Sequence, residues 1–193
     1  MPLEASAALL TDRVAVVTGA AVGIGEAIAL GFANFGAHLA ICDRDVSNLD
    51  GTADAIEAAG RRVVAAEIDV RETDQVEGFL GVVREQFDHV DVLVNNAGGG
   101  FYASFLDVNA KGQDSLVREN FVSVTNFIRG VVPLVPDTGG SILNLTSIEA
   151  HRAAPGYAVY SAMKAAVANL TKTLALELGD RMIRVNCIAP DVL

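Results

Sequence analysis

Short apolar runs, rich in β-branched residues, recur six times along the sequence. Each run is short enough to form one strand, and the stretches between them carry apolar residues at the three- and four-residue spacing of an amphipathic helix. Because the runs lack polar alternation, we expect the strands to be buried on both faces, as in a parallel sheet covered by helices on each side. The sequence therefore predicts an α/β fold, a doubly wound parallel sheet in three layers. The predicted strands are residues 14–18, 39–42, 63–66, 90–94, 141–145 and 184–188.

The length and the spacing of these runs predict one domain. At roughly 100–200 residues per domain, a chain of 193 residues is expected to form a single domain over residues 1–193. The predicted strands lie further apart in the second half, which indicates longer helices over roughly residues 113–135 and 157–178. We expect these two helices to carry functional residues and to mediate a homodimer or homotetramer.

The charge balance and the cysteines narrow the function classes. With 14 Lys and Arg residues against 24 Asp and Glu residues, the net charge is −10, so nucleic acid and anionic membrane surfaces are poor partners. No apolar run approaches the length of a membrane span, and the first residues lack the positive charge of a secretory signal. Cys42 and Cys187 lie inside apolar runs, where buried thiols are expected. These features predict a soluble cytoplasmic protein.

A glycine-rich turn follows the first predicted strand. Residues 18–25 read TGAAVGIG, with glycines at positions 19, 23 and 25, and lead directly into a predicted helix. Glycines at such a turn let the backbone approach a pyrophosphate, whose charge the helix N-terminus attracts. The same glycines could instead only make a tight turn. Asp43, at the end of the second predicted strand, favours the nucleotide interpretation because a carboxylate there can bind the adenosine ribose hydroxyls.

Asp43 also bears on the choice of cofactor. Its charge would repel a 2′-phosphate, and the glycine turn contains no Lys or Arg to attract one. NAD is therefore the expected cofactor, and NADP is disfavoured. Arg44 is a contrary signal, since its guanidinium could meet a 2′-phosphate, although a solvated turn residue is the alternative.

A tyrosine and a lysine share one face of the last long predicted helix. Tyr160 and Lys164 are separated by four residues, so the ammonium can lie beside the phenol and favour its ionised form, as a general acid/base requires. Ser147 ends the fifth predicted strand, where its hydroxyl could hold a substrate oxygen. The alternative is an ordinary amphipathic helix with the tyrosine in the core and the lysine in solvent.

Two further groups of side chains leave their roles open. Three aromatic residues follow the Gly98–Gly100 turn and could form the wall of a substrate site or pack in the core or an interface; they are Phe101, Tyr102 and Phe105. The three histidines are far apart and share no metal-ligand spacing, so no metal site is expected; they are His38, His89 and His151. His151 lies in a loop with Glu149 and Arg152 that could meet a polar substrate group or simply be exposed.

Several motifs in order resemble those of the short-chain dehydrogenase/reductase family over roughly residues 12–190. The turn at residues 18–25 is similar to the family's TGxxxGxG loop, and residues 95–98, NNAG, are similar to its fourth-strand motif. Residues 184–190, RVNCIAP, are similar to its RVNxIxP strand. Four further residues are similar to its catalytic tetrad: Asn120, Ser147, Tyr160 and Lys164.

This resemblance implies roles for individual residues. Tyr160 would donate and accept the proton in the exchange between a secondary alcohol and a ketone, and Lys164 would assist it while binding the nicotinamide ribose. Ser147 would orient the substrate oxygen, and Asn120 would hold a water that relays protons with Lys164. Asp69 and Val70 resemble the pair that contacts the adenine. The implied cofactor-binding residues are Gly19, Ala21, Gly23, Ile24, Gly25, Asp43, Arg44, Asp69, Val70, Asn96, Ala97, Gly98, Tyr160, Lys164 and Pro190.

The chain also departs from the family pattern. Asp191 stands where the family usually has Gly, near the expected nicotinamide carboxamide. The family continues past the point of Leu193 with a substrate lid and a final strand, so both are expected to be missing from this sequence. We expect a protein of these 193 residues to bind NAD(H) weakly, to turn over poorly and to aggregate. The alternative function is therefore a nucleotide-binding sensor or interaction module without turnover.

Overall fold

The computed structural model describes residues 9–191, which form a six-stranded parallel sheet in the order β3-β2-β1-β4-β5-β6. This order reverses direction between β1 and β4, the switch point at which open α/β sheets bind ligands. The predicted doubly wound sheet is confirmed. The strands are β1 (Val14–Thr18), β2 (His38–Asp43), β3 (Val63–Glu67), β4 (Val92–Asn95), β5 (Gly140–Leu145) and β6 (Ile183–Ile188).

Helices cover both faces of the sheet. On one face, a core containing Phe79, Phe127 and Val167 packs beneath α3, α5 and α6, while on the other a core containing Ala29 and Leu49 packs beneath α1 and α2. The predicted three layers are therefore present. The helices are α1 (Gly23–Asn34), α2 (Val46–Ala58), α3 (Thr73–Phe87), α4 (Ala110–Val117), α5 (Ser123–Val131) and α6 (Ala158–Glu177).

The two long helices predicted in the second half are both present. The helix expected over residues 157–178 is α6, flanked by Tyr157 and Leu178. The helix expected over residues 113–135 is present as an uninterrupted helical stretch over residues 110–134, which includes one π-helical turn. It begins earlier, because the Asn109 side chain accepts a hydrogen bond from the Gly112 amide (2.9 Å) and caps α4, and a π-helical turn, Arg118–Val122, separates α4 from α5.

The sheet edge at β6 differs from the central strands. Strands β1 and β2 are buried along almost their whole length, whereas Arg184, Asn186 and Ile188 of β6 are exposed. The expectation of strands buried on both faces therefore fails at this edge. It also fails for the thiols: Cys42 is fully buried, and burial raises its pKa, but Cys187 is only half-buried. Among residues 9–191, no helix is both long and apolar enough to cross a bilayer.

Candidate active site

A cleft of about 760 Å³ lies at the carboxyl ends of the strands. Its volume falls in the range of roughly 300–1,000 Å³ that ligand pockets occupy. Thirteen residues predicted for the site line it: Gly19, Ile24, Asp43, Arg44, Asp69, Val70, Asn96, Ala97, Gly98, Ser147, Tyr160, Lys164 and Pro190. The other four, which do not line it, are Ala21, Gly23, Gly25 and Asn120.

The backbone conformation of the turn after β1 requires glycine at several positions. Gly19 and Gly23 have φ angles of 68° and 65°, a region that residues with side chains rarely adopt. A Cβ atom on Gly25 would overlap the Gly19 carbonyl oxygen, and one on Gly19 would lie 2.9 Å from the Ala97 Cα. The loops after β1 and β4 therefore approach each other more closely than side chains would allow.

Thr18 and Asn96 join these two loops by hydrogen bonds. The Thr18 hydroxyl accepts from the backbone amides of Asn96 (3.1 Å) and Ala97 (2.9 Å). In return, the Asn96 side-chain amide donates to the carbonyls of Thr18 (3.0 Å) and Gly19 (2.9 Å). The backbone at this end of the cleft is thus fixed by its own side chains.

Asp43 ends β2 beside the glycine turn. Its Oδ2 accepts from the Ala21 amide (3.1 Å), and its Oδ1 accepts from the amides of Arg44 (2.7 Å) and Asp45 (3.1 Å). These bonds hold the carboxylate at the cleft wall, where it was predicted. Ala21, although outside the lining, therefore helps to position Asp43.

Asp69 and Val70 form the neighbouring wall. The Asp69 carboxylate accepts from the Arg71 guanidinium, with Nε at 2.9 and 3.0 Å, and this hydrogen bonding lowers the pKa of Asp69. Arg71 also donates to the Ser115 hydroxyl (3.0 Å), which ties the loop after β3 to α4. The Arg71 side chain therefore has a structural role, in which it joins Asp69 to α4.

Asn120 is fully buried in the π-helical turn, behind the cleft lining. Its Oδ1 accepts from the Gly99 amide (3.2 Å), and its Nδ2 donates to the carbonyls of Gly99 (2.8 Å) and Leu116 (3.0 Å). The side chain therefore holds the loop after β4, and its role in a water relay stays a prediction.

Lys164 is buried, so the alternative of a lysine in solvent is wrong. Its side chain crosses to β5, where Nζ donates to the Leu145 carbonyl (2.9 Å). The ammonium lies 5.7 Å from the centroid of the Tyr160 ring, and a Cβ on Gly98 would lie 2.9 Å from both Nζ and the Asn120 Oδ1. Burial lowers the pKa of Lys164 to about 8, with the Glu119 charge opposing this shift.

Tyr160 and Ser147 both line the cleft. Tyr160, in the first turn of α6, packs edge-on against Tyr157 with ring centroids 6.2 Å apart. A Cβ on Gly100 would lie 3.1 Å from the Tyr160 ring. Ser147 caps the short turn after β5, and its Oγ accepts from the Glu149 amide (3.2 Å).

A charged cluster borders this end of the cleft. The Arg152 guanidinium donates to the Glu149 carboxylate (2.6 Å) and lies 3.6 Å from that of Asp191. The hydrogen bond from Arg152 lowers the pKa of Glu149. Glu149 and Asp191 line the cleft, whereas His151 is exposed. The Pro190 carbonyl accepts from the Ile148 amide (3.0 Å), which joins the two loops.

The three aromatic residues whose role the sequence leaves open do not form a wall of the large cleft. Phe101, Tyr102 and Phe105 are exposed and do not line the large cleft. Tyr102 instead packs edge-on against Tyr157, whose ring does line it (5.8 Å between centroids). Sequence reasoning missed Tyr157, which directly precedes α6, although its position three residues before Tyr160 was a usable signal. The other missed lining residues are Val22, Asp45, Ile68, Gly100, Glu119, Leu145, Thr146 and Ile148.

Comparison with known proteins gives relatives with the same architecture. The short chain dehydrogenase family model matches residues 13–193. Oxidoreductase UcpA from Escherichia coli K12 is 37% identical over 183 residues, covering 94% of this chain and 69% of UcpA. The structure of carveol dehydrogenase from Mycobacterium avium in complex with NAD has a TM-score of 0.90 at 30% identity, covering 94% of this chain and 71% of that one.

A further solved relative contains the other dinucleotide. The structure of L-sorbose reductase from Gluconobacter frateurii complexed with NADPH and L-sorbose has a TM-score of 0.90 at 35% identity, covering 94% of this chain and 70% of that one. Relatives with this fold therefore include both an NAD complex and an NADPH complex. Together with the family match over almost the whole sequence, these likenesses show that the chain belongs to the short chain dehydrogenase family of oxidoreductases.

Proposed function

We propose that this protein is an NAD(H)-dependent oxidoreductase that interconverts a secondary alcohol and a ketone, with Tyr160 as the general acid/base. One observation carries the proposal: Ser147, Tyr160 and the buried Lys164 line the same cleft as the glycine turn. A dinucleotide bound at the turn and a carbonyl group bound at the hydroxyls would therefore share one cleft.

We call the part of the cleft at the glycine turn and Asp43 the nucleotide end, and the part at Ser147 and Tyr160 the reaction end. The residues at the nucleotide end fit a dinucleotide. The glycine turn leaves room for a pyrophosphate beside the N-terminus of α1, and Asp43 offers a carboxylate to the adenosine ribose. Asp69 and Val70 would contact the adenine, and Lys164 would bind the nicotinamide ribose. The nicotinamide, when bound, supplies or accepts the hydride.

The preference for NAD over NADP rests on charge. Asp43 would repel a 2′-phosphate, and the glycine turn contains no basic residue to offset that repulsion. The solved relatives, which hold NAD in one case and NADPH in another, are compatible with either cofactor.

At the reaction end, two hydroxyl groups would hold the substrate oxygen. Negative charge develops on a carbonyl oxygen when hydride reaches its carbon, and two positioned donors stabilise that charge. Tyr160 would then transfer its proton to this oxygen, and the neighbouring ammonium of Lys164 would stabilise the phenolate left behind. Ser147 would orient the oxygen and remain unchanged.

The proposal is tested by following nicotinamide absorbance with NADH and a panel of ketones: steroid, sugar, polyol-derived and acyl thioester substrates. We expect NADH consumption with at least one member and slower consumption with NADPH. A protein that binds NADH but consumes none across the panel would instead support a nucleotide-binding module without turnover. Equal or inverted affinities for the two dinucleotides would contradict the NAD preference.

The assembly and location of the protein stay predictions. We expect a homodimer or homotetramer, because a two-fold contact through long helices at the flank of the sheet is the simplest closed arrangement. Sedimentation at micromolar concentration tests this, and a monomer would count against it. A cytoplasmic location is likewise expected from the sequence alone.

A further inference from the structure

An ion pair crosses the nucleotide end of the cleft. Arg44 lies in the loop after β2, and Glu119 lies in the π-helical turn between α4 and α5. Both residues line the cleft, and the Arg44 Nη2 lies 3.8 Å from the Glu119 Oε1. The arginine side chain is 62% exposed and the glutamate side chain is 17% exposed. The carboxylate is thus the sheltered member of the pair.

The position of Glu119 is set by its neighbours. It directly precedes Asn120, whose side chain is buried and bonded to both backbone groups of Gly99. A Cβ on Gly99 would lie 3.6 Å from the Glu119 Oε1, so the carboxylate lies against the same loop. The π-helical turn therefore places a negative charge opposite Arg44.

Arg44 is the cation that matters for discrimination between the dinucleotides. Among the described residues that line the cleft, the basic side chains are Arg44 and Lys164, and Lys164 is bonded to the Leu145 carbonyl. An arginine beside the ribose-binding carboxylate is the group that can accommodate a 2′-phosphate. In this protein, that arginine faces a carboxylate instead.

We infer that Glu119 is a specificity-determining residue, which holds the Arg44 guanidinium across the cleft and so withholds it from a 2′-phosphate on the adenosine ribose. This inference rests on the proposed function and deepens it. Asp43 repels the phosphate directly, whereas Glu119 removes the compensating cation. The two carboxylates therefore act by different routes.

The test compares the affinities for NADH and NADPH by nicotinamide fluorescence in the intact protein. Glu119→Gln keeps the shape of the side chain and removes its charge. We expect NADPH to bind about tenfold more tightly, through a charge-assisted contact with the released arginine, and NADH affinity to stay within about threefold. In the double variant with Arg44→Met, the gain for NADPH should vanish.

Two controls separate this effect from a general change in charge or folding. Asp114→Asn removes a carboxylate from α4 that pairs with Arg118 outside the cleft, and it should leave the ratio of the two affinities unchanged. Arg44→Met alone, at an exposed position, should change NADPH affinity less than about threefold, because the guanidinium is already engaged. A large loss of NADPH affinity in this variant would overturn the inference even if Glu119→Gln failed to fold.

The remaining outcomes are distinct. If the unmodified protein binds NADH and Glu119→Gln leaves the ratio unchanged, the inference is overturned and the proposed function stands. If the gain for NADPH persists without Arg44, the carboxylate acts directly on the phosphate and the inference is again overturned. If the unmodified protein binds neither dinucleotide, the proposed function and this inference both fail.

Discussion

The two ends of the cleft hold their side chains in different ways. At the nucleotide end, hydrogen bonds to backbone groups of the neighbouring loops hold the side chains of Thr18, Asn96 and Asp43. At the reaction end, Tyr160 belongs to an aromatic cluster with Tyr157 and Tyr102 that reaches the surface, where Tyr102 is 75% exposed. The nucleotide end is preorganised by its own bonds, whereas the reaction end is open.

This difference separates two kinds of defect. A change in the glycine turn disturbs several loops at once, because their backbones are in contact and share hydrogen bonds. A change at a reaction-end hydroxyl removes one chemical group from an otherwise unaltered wall. A change at a reaction-end hydroxyl should therefore reduce turnover without loss of dinucleotide binding. A change in the glycine turn should instead reduce dinucleotide binding and stability together.

Tyr160→Phe should cause the largest effect on turnover. The substitution keeps the ring and removes only the exchangeable proton, so turnover should fall by a factor on the order of 10² or more. NADH affinity, measured by fluorescence, should remain. Near-normal turnover would show that Tyr160 is not the acid/base.

A matched control is available in the same aromatic cluster. Tyr102→Phe also removes one phenolic hydroxyl, but Tyr102 does not line the large cleft. Its turnover should stay within about twofold of the unmodified protein, since exposed substitutions away from a site have small effects. Equal losses in the two variants would mean that the ring cluster, and not the Tyr160 proton, limits the reaction.

Gly25→Ala should disturb the nucleotide end instead. The new Cβ would overlap the Gly19 carbonyl oxygen, and relief of this clash should cost about 1–3 kcal/mol of unfolding free energy together with most of the NADH affinity. Gly31→Ala, on the same helix with open space around its Cβ, should stabilise the protein by about 1 kcal/mol. Denaturant unfolding and NADH titration of both variants check the pair, and a well-folded Gly25→Ala protein with full affinity would refute the steric argument.

The sequence predicts part of the cleft lining and misses part of it, for a physical reason. Glycine spacing, a strand-ending carboxylate and apolar runs are local signals, and 13 of the predicted residues line the cleft. Residues such as Glu119 and Tyr157 reach it only through the π-helical turn and the packing of α6. Those placements depend on tertiary contacts that no local pattern contains.

The same limit explains two details of the fold that the sequence does not predict. The helix expected over residues 113–135 carries a suitable apolar period, but the bonds of Asn120 to Gly99 accompany a wider turn that the period does not indicate. Cys187 lies in an apolar run, yet β6 is an edge strand with one exposed side. Sequence periodicity identifies elements, whereas their surroundings decide which faces are covered.

Asp43→Asn should reduce the difference between the affinities of the protein for NADH and for NADPH. Removal of the charge should bring the two affinities about tenfold closer, as one nearby like charge contributes on the order of 1 kcal/mol. Asp45→Asn is the matched control, because it removes the same charge from the same loop while asparagine still caps α2. An equal narrowing in both variants would show that the general charge of the loop, and not the Asp43 position, sets the preference.

On the free energy of unfolding, Lys164→Met should have the smallest effect of these variants, with a sign that depends on pH. The roles proposed for the ammonium imply that the same variant loses turnover and NADH affinity. Burial lowers the pKa of Lys164 to about 8 from 10.5, so below pH 8 the folded protein carries an ammonium that it disfavours. That cost amounts to about 3 kcal/mol at most, from about 1.4 kcal/mol per pKa unit, and the lost bond to the Leu145 carbonyl offsets about 2 kcal/mol of it.

Lys164→Met should therefore be more stable than the unmodified protein by about 1 kcal/mol at pH 7. Between pH 8 and pH 10.5 the unfolded lysine binds more protons than the folded one, so the unmodified protein gains stability as the pH rises and the advantage of the variant disappears. Denaturant unfolding across this range checks the prediction, with Lys172→Met on the exposed face of α6 as the matched control. An advantage that does not change with pH would show that better packing of methionine, rather than the buried charge, is responsible, and the reaction end would then hold its lysine without cost to the fold.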